Sequence, residues 1–201
     1  MSAPEVAQTP ADATVTAASS KLSMLWLAEG ARRLIQSFAG ISIFDFPGLY
    51  LVRSFTFGLF VKMSKGVLIG KQCYFIVPHG LPGRQFSVGP KTKINHRVEI
   101  DYSGGVNIGA RVWISQNVLI ETHEHQIATG DKEDWTIRLG HLEIADGAWL
   151  GANCIILPSV RRIGKNAIVG AGAVVTQDVG DHVIVAGVPA KPIGLVPCDP
   201  A

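Results

Sequence analysis

The chain has 201 residues, a length that suits one domain, and its hydrophobic content of 47% is ample for a core. A formal net charge of +2, with Lys and Arg dispersed along the sequence, argues against nucleic acid as a partner. Cys73, Cys154 and Cys198 have neither metal-ligand nor disulfide spacing, which favours a reducing compartment. Because a signal-peptide pattern is also missing from residues 1–20, we expect a cytoplasmic protein.

The N-terminal third is expected to differ from the rest of the chain. Residues 1–20 are rich in Ala, Thr, Ser and Pro, which predicts a disordered tail. Residues 21–66 form a helical segment, with helices predicted over 21–40 and 47–62 from apolar residues at helical steps. Charged residues interrupt every window long enough to span a membrane. Two interpretations of residues 21–62 remain open: they cap the following domain, or their aromatic and basic residues contact the inner face of the membrane.

An aliphatic residue that returns every six positions dominates the sequence from Ile108 to Val179. A period of six fits no helical stripe, which needs apolar residues at three- and four-residue steps. It predicts an all-β solenoid with three short strands in each coil and one inward aliphatic side chain in each strand. Corresponding members of three successive groups are expected to stack: Ile108, Ile114 and Ile120; Ile144, Leu150 and Ile156; Ile163, Val169 and Val175.

The solenoid domain is predicted over residues 67–195, followed by a tail over 196–201. Irregular coils begin near Ile69, and a more regular coil contains Val88, Ile94 and Ile100. The repeat stops near His123 and resumes near Leu142, which predicts an extruded loop at about 124–141. A long excursion without a period of its own is usually functional.

The segment THEH, at residues 122–125, is the most suggestive place for chemistry because it lies where the chain departs from the coil. A histidine with a near-neutral pKa is the usual general base for a hydroxyl group. A histidine pair in a surface turn is also common as simple solvated polarity, and the residues alone leave both interpretations open.

The repeats resemble those of the hexapeptide-repeat acyltransferases, most closely the maltose/galactoside and polysaccharide O-acetyltransferases. Besides THEH, the segments that carry the resemblance are AWLGAN at 148–153, GAGAVVT at 170–176 and AGVPAK at 186–191. The resemblance covers about residues 67–195. It implies a left-handed parallel β-helix, a homotrimer, and acetyl-CoA bound between neighbouring subunits, with no metal. Right-handed crossovers are the general rule for parallel strands, so the hand follows from the resemblance alone.

The resemblance also implies roles for individual residues. His123 matches the catalytic base that follows the Thr of the family's T-H motif. Trp149 matches the wall of the acceptor and thioester site. The other acceptor-binding positions are Asn95, Asp101 and His125. The cofactor-binding positions are Trp149, Ala152, whose N–H faces the thioester carbonyl, Gly170 and Ala171 along the pantetheine arm, Thr176, and Lys191 near the phosphates.

The leading hypothesis is an acetyl-CoA-dependent O-acetyltransferase acting on a sugar hydroxyl in polysaccharide or glycolipid biosynthesis. His125 and the N-terminal helices favour a larger or lipid-linked sugar acceptor. N-acetylation of a nucleotide-linked amino sugar is the alternative within the same chemistry. A non-catalytic repeat scaffold and a zinc-dependent, carbonic-anhydrase-like enzyme are two further alternatives; the latter would draw its ligands from His96, His123, His125 and His141.

Overall fold

Short parallel strands stacked into three faces form a β-helix in the computed structural model, which describes residues 13–15, 24–39, 50–59, 61–78, 81, 83–132 and 135–197. Before the β-helix come strand β1 (Ala13–Val15), helix α1 (Met24–Ala39) and helix α2 (Tyr50–Gly58). No helix within those ranges is long and apolar enough to cross a bilayer.

Each face is one parallel sheet, with an antiparallel strand added at the end of face 2. Face 1 contains β2 (Lys62–Met63), β5 (Phe86–Val88), β8 (Val106–Ile108), β13 (Leu142–Ile144) and β16 (Arg162–Ile163). Face 2 contains β3 (Leu68–Ile69), β6 (Lys93–Ile94), β9 (Trp113–Ile114), β14 (Trp149–Leu150), β17 (Ile168–Val169), β19 (Val183–Ala186) and the added β20 (Lys191–Leu195). Face 3 contains β4 (Tyr74–Ile76), β7 (Glu99–Asp101), β10 (Leu119–Ile120), β15 (Ile155–Ile156) and β18 (Val174–Val175).

The stacking register confirms the prediction from the six-residue period. On face 1, Ile144 pairs with Ile108 below it and Ile163 above it. Faces 2 and 3 repeat this arrangement in two further columns, Ile114–Leu150–Val169 and Ile120–Ile156–Val175. All nine side chains are buried, because each points into the prism and packs on the equivalent residue of the next coil.

The corner between faces 1 and 2 and the corner between faces 2 and 3 each place one residue of a coil in the left-handed region of backbone conformation. At the corner between faces 2 and 3, these residues include Asn117 and Asn153, with φ of 58° and 59°. Asn tolerates this conformation better than most residues. The side-chain Nδ2 of Asn117 donates to the side-chain Oδ1 of Asn153 at 2.9 Å, so the side chains stack as the strands do. We call this corner the Asn corner.

The two helices close the N-terminal end of the prism. The Gln36 side chain accepts from the Phe75 N–H at 2.8 Å and donates to the Phe75 carbonyl at 3.1 Å, which satisfies the backbone at the open edge of face 3. Arg53, which is buried, donates to the Ile69 carbonyl at the edge of face 2. The inward sides of the two helices therefore cap the β-helix, which is one of the two interpretations of this segment.

Two predicted boundaries need correction. Helix α2 ends at Gly58, because Lys62 and Met63 already pair with Ser87 and Val88 as the first strand of face 1. The β-helix consequently begins before residue 67. Residues 13–15, predicted to be disordered, form β1; the rest of the predicted tail over 1–20 lies outside the described residues.

The excursion between His123 and Leu142 contains more regular structure than an extruded loop. Strand β11 (His123–His125) pairs antiparallel with β12 (Ile137–Leu139), and β1 pairs with the other edge of β12. We call β11, β12 and the residues between them the arm. Because Ile137 and Leu139 are buried, the base of the arm is anchored in the core.

Candidate active site

The arm leaves the prism at the corner between faces 3 and 1, and the strongest cluster of polar groups lies there. Strand β7 ends at Asp101, and the chain of the next coil reaches His123 three residues after β10. Parallel stacking therefore brings together two residues that are 22 positions apart in sequence. We call this region, comprising residues 101–105 and 121–123, the arm corner.

Asp101 is completely buried, and its carboxylate accepts hydrogen bonds from three neighbouring residues. Ser103 donates to Oδ1 from its N–H at 2.9 Å and from its hydroxyl at 2.5 Å. Thr122 approaches Oδ2 with its N–H at 2.9 Å and its hydroxyl at 3.0 Å. The Thr122 hydroxyl also accepts from the Gly104 N–H at 2.9 Å. A buried carboxylate needs such donors to remain charged.

The third donor to Asp101 is His123, whose Nδ1 lies 2.8 Å from Oδ2. Because a charged carboxylate can only accept, Nδ1 carries the proton in this contact. The neutral imidazole then has its lone pair on Nε2, which is the form a general base requires. Glu121 adds a second negative group, with Oε2 3.6 Å from Nδ1.

The electrostatics of the corner shift three pKa values. The hydrogen bond that His123 donates to the Asp101 carboxylate raises the pKa of His123 above its ordinary value, although partial burial of the ring opposes this. Burial acts to raise the pKa of Asp101, but the hydrogen bonds from His123, Ser103 and Thr122 outweigh it and hold the pKa below its ordinary value. The pKa of Glu121 is raised by burial and by the nearby Asp101 charge.

The arm positions His123 and His125 side by side, with ring centroids 5.8 Å apart. Across the arm, Arg138 forms an ion pair with Glu124, with Nε donating to Oε1 at 2.7 Å. At its base, the Gly140 N–H donates to the Thr122 carbonyl at 2.7 Å. The peptide that carries His123 is thus held from both strands of the arm.

The structure places Asp101 in the interior, whereas the resemblance implied contact with the acceptor. Its carboxylate is inaccessible to solvent, and its oxygens are occupied by donors from the chain. The close spacing to His123 arises because consecutive coils stack. The residue is therefore a partner that orients the histidine.

The aromatic side chains of face 2 form a second candidate region. Trp149 is 45% exposed, and its Nε1–H donates to the Ser115 hydroxyl at 3.0 Å. Trp113, one coil below, is 51% exposed and packs edge-on against Trp149 with centroids 6.3 Å apart. Lys93 places its Nζ 5.1 Å from the centroid of the Trp113 ring.

Asn95 belongs to this second region and not to the arm corner. It is exposed at the start of the Asn corner, where its Oδ1 accepts from the His96 N–H at 2.8 Å. With Trp113 and Ser115, it lines a shallow cavity of about 480 Å³. Within one chain, the predicted acceptor residues therefore divide into two groups: Asn95 and Trp149 near face 2, and His125 beside His123.

Three of the predicted cofactor residues lie on the Asn corner. Ala152 and Ala171 occupy equivalent turns of successive coils, and the Ala152 carbonyl accepts from the Gly172 N–H at 2.8 Å. The N–H of Gly170 already donates to the Val185 carbonyl at 2.7 Å, so this amide is used within the sheet. The Ala190 N–H donates to the Val174 carbonyl at 2.8 Å, which brings the exposed Lys191 close to the same end of face 3.

Thr176 lies on the far side of face 3 from the Asn corner, where its carbonyl accepts from the Ser159 hydroxyl. The structure consequently groups Ala152, Gly170 and Ala171 but leaves Thr176 apart from them.

The histidines of the zinc alternative do not converge within the described part of one chain. His123 and His125 are neighbours, but His96 lies at the Asn corner and His141 contacts Asn107 on face 1 at 3.1 Å. The acid and histidine ligand atoms that do converge are those of Asp101, Glu121 and His123. Because the Asp101 oxygens are already occupied, this group is better suited to holding a proton than a cation.

Sequence reasoning missed Ser103 and Trp113, and it gave Thr122 no role beyond its place in the T-H motif. Trp113 had a visible signal, since it precedes the inward Ile114 just as Trp149 precedes the inward Leu150. Ser103 had none, because its importance depends on its contact with Asp101.

Comparison with known proteins supports the fold and the repeat resemblance. No protein-family model matches the chain. It is 31% identical to a galactoside O-acetyltransferase of Lactococcus lactis over 123 residues, which cover 60% of this chain and 59% of the relative. A galactoside O-acetyltransferase of Escherichia coli is 30% identical over 111 residues, covering 55% and 54%. The chain thus spans a little over half the length of these curated relatives.

The fold is similar to that of a solved galactoside acetyltransferase in complex with coenzyme A, with a TM-score of 0.72 and 21% identity. The match covers 89% of this chain and 86% of that structure. Such a likeness establishes the architecture. The chain therefore has the predicted left-handed parallel β-helix, and its sequence is similar to those of galactoside O-acetyltransferases, as the resemblance of the repeats indicated.

Proposed function

We propose that the chain is an acetyl-CoA-dependent O-acetyltransferase that acts on a sugar hydroxyl. The observation that carries the proposal is the hydrogen bond between His123 Nδ1 and the buried Asp101 carboxylate. It sets up a base at the arm corner of a chain whose repeats are similar to those of galactoside O-acetyltransferases. A non-catalytic scaffold has no need for a buried carboxylate supplied with donors from three residues.

In the proposed reaction, Nε2 of His123 accepts the hydroxyl proton while the sugar oxygen attacks the thioester carbonyl carbon. The resulting imidazolium is stabilised by Asp101 and Glu121, whose oxygens lie 2.8 Å and 3.6 Å from Nδ1. The tetrahedral intermediate then collapses, the carbon–sulfur bond breaks, and the thiolate takes the proton from Nε2. The products are the acetyl ester and free coenzyme A, and no acyl-enzyme is formed.

A backbone N–H would stabilise the oxyanion, and Ala152 is the proposed donor. A contact of this kind contributes about 3 kcal/mol at the transition state. Ala171 would contact the pantetheine arm, and Lys191 would provide positive charge for the phosphates. These residues lie at or beside the Asn corner, on the opposite side of face 3 from His123.

The separation of these groups supports a homotrimer. The two corners that bound face 3 are separated by about five residues of extended chain, or roughly 16 Å. One chain therefore does not bring His123 to its own Ala152, whereas the Asn corner of a neighbouring copy could meet the arm corner. Light scattering should give a trimer, and an active monomer would contradict this proposal.

The acceptor is proposed to be a sugar within a polysaccharide or glycolipid. Exposed Trp113 and Trp149 offer aromatic faces that can pack against the apolar face of a pyranose. Asn95 and His125 would hydrogen-bond its hydroxyl groups. These two groups lie in separate regions of the chain, so they would also meet across the subunit interface.

The test is a panel of acceptors assayed with acetyl-CoA for release of free coenzyme A. The panel contains neutral oligosaccharides, lipid-linked sugars and nucleotide-linked amino sugars, and mass spectrometry after mild alkali distinguishes an ester from an amide. Ester formation that is lost in His123→Ala supports the proposal. Amide formation alone would favour the N-acetyltransferase alternative, and no turnover with any acceptor would favour the scaffold.

A further inference from the structure

The outward side of the helical cap is apolar, although the cap faces solvent. On α1, Leu34 and Phe38 are 74% and 63% exposed; on α2, Phe55 is 71% exposed, and Leu59, directly after α2, is 62% exposed. Leu34 and Phe38 are four residues apart on α1, so they occupy one side of that helix. The terminal caps of repeat proteins normally have a polar outer face that keeps them soluble.

Other side chains of the cap contact the prism. Gln36 and Arg53 satisfy the edges of faces 3 and 2, and Phe57 provides the buried aromatic contact, with its ring 4.7 Å from that of Phe75. Helices α1 and α2 also pack on each other. The exposed residues therefore form a separate surface, and exposed apolar surface of this kind usually marks an interaction site.

The charge distribution indicates what this surface contacts. The sequence has no acidic residue between Asp45 and Glu99, an interval that holds α2 and the first two coils. The exposed basic residues of the interval are Lys62, Lys65, Arg84, Lys91, Lys93 and Arg97, and Arg33 is exposed on α1. The later coils carry acidic residues among their basic ones, so positive charge is concentrated at the capped end.

We propose that the capped end binds an anionic lipid surface through Leu34, Phe38, Phe55 and Leu59, with the basic residues of the first coils contacting the headgroups. Apolar side chains at the boundary of the acyl region and Lys or Arg at the headgroups are the two components of interfacial binding. A second copy of the chain would be repelled by the same concentration of positive charge. The proposal does not depend on which acceptor is acetylated.

Flotation of the full chain with vesicles tests the proposal. Binding is expected to phosphatidylcholine vesicles that contain phosphatidylglycerol, to be weaker at high salt, and to be weak with phosphatidylcholine alone. Phe55→Ser should reduce the partition coefficient by about tenfold or more, because it removes most of an aromatic side chain that would be buried in the lipid. Lys65→Gln should reduce it about fivefold, since each basic residue near the surface contributes by charge.

Two matched controls lie at the other end of the prism. Ile193→Ser removes an apolar side chain that is 68% exposed on β20, and Lys165→Gln removes an exposed lysine; neither should change the partition coefficient. The proposal is overturned if the unaltered chain fails to float with anionic vesicles at low salt. It is also overturned if Phe55→Ser changes the oligomeric state and leaves flotation intact, because the surface would then be a contact between copies. Acetylation of a free acceptor by Phe55→Ser separates either failure from a failure of the proposed enzyme activity.

Discussion

The coil from Ile144 to Ile156 and the arm corner are neighbours in the prism but depend on different kinds of interaction. In the coil, Leu150 is completely buried between Ile114 and Val169, and its environment repeats that of the residues above and below. At the arm corner, Asp101 is equally buried but is surrounded by the polar donors of Ser103, Thr122 and His123. The first region owes its stability to identical contacts repeated along an axis, and the second owes its chemistry to one departure from the repeat.

The comparison shows how the regular part can support the irregular part. Stacked strands hold the ends of β7 and β10 next to each other, so the Asp101–His123 contact needs no further loop to fix it. Substitutions in the two regions should therefore have separable effects, on turnover at the arm corner and on stability in the coil.

The largest effect is expected from His123→Ala, which removes the base. General-base catalysis contributes about 10²–10⁴-fold, so turnover should fall by that factor while affinity for acetyl-CoA stays nearly unchanged. Steady-state kinetics and binding titration measure the two quantities. His125→Ala is the matched control and should lose much less. The opposite result would place the base at His125 and leave acetyl transfer intact.

Next in size, Leu150→Ala should lower the free energy of unfolding by about 2–5 kcal/mol, because it leaves a cavity between two coils. Chemical denaturation at fixed protein concentration measures the loss. Ile127→Ala, at an arm residue that is 85% exposed, should change stability by less than about 0.5 kcal/mol. Equal losses in both variants would show that the coil is no more stabilising than the arm.

Asp101→Asn should show whether Asp101 acts on His123 by orienting its ring or by its negative charge. The amide oxygen can still accept from Nδ1, but the negative charge that raises the pKa of His123 is gone. A hydrogen bond to a charged group contributes about 1.5–3 kcal/mol, so turnover should fall about 10- to 100-fold.

The pH profile of Asp101→Asn gives the second half of this test. The base must be neutral, so activity of the unaltered enzyme declines as pH falls below the raised pKa of His123. In the variant the acidic limb should move to lower pH, towards the ordinary pKa of a histidine. An unchanged limb would mean that Asp101 does not set the protonation of the base.

The smallest effect is expected from Glu124→Gln in the arm. Its ion pair with Arg138 is partly exposed, with side chains 38% and 30% accessible. Such pairs contribute about 0.2–1 kcal/mol. The equilibrium constant for unfolding and the turnover rate should therefore each change by no more than about fivefold. A larger loss of turnover with unchanged stability would show that the arm must be held rigidly for His123 to work.

The sequence by itself determined the stacking of the β-helix, because a six-residue period is local and each inward side chain meets its equivalent one coil away. The resemblance of short segments also singled out His123 and Trp149 as candidates for the site. The left-handed crossover was implied only by that resemblance, since inward periodicity is the same for either hand.

Only the tertiary structure decided that Asp101 is the partner of His123, that α1 and α2 close the open sheet edges through Gln36 and Arg53, and that the arm is a strand pair. Each of these depends on contacts between residues far apart in the chain. The physical reason is that a buried polar group takes whichever partner the fold brings within hydrogen-bond distance, and no local pattern in the sequence records that choice.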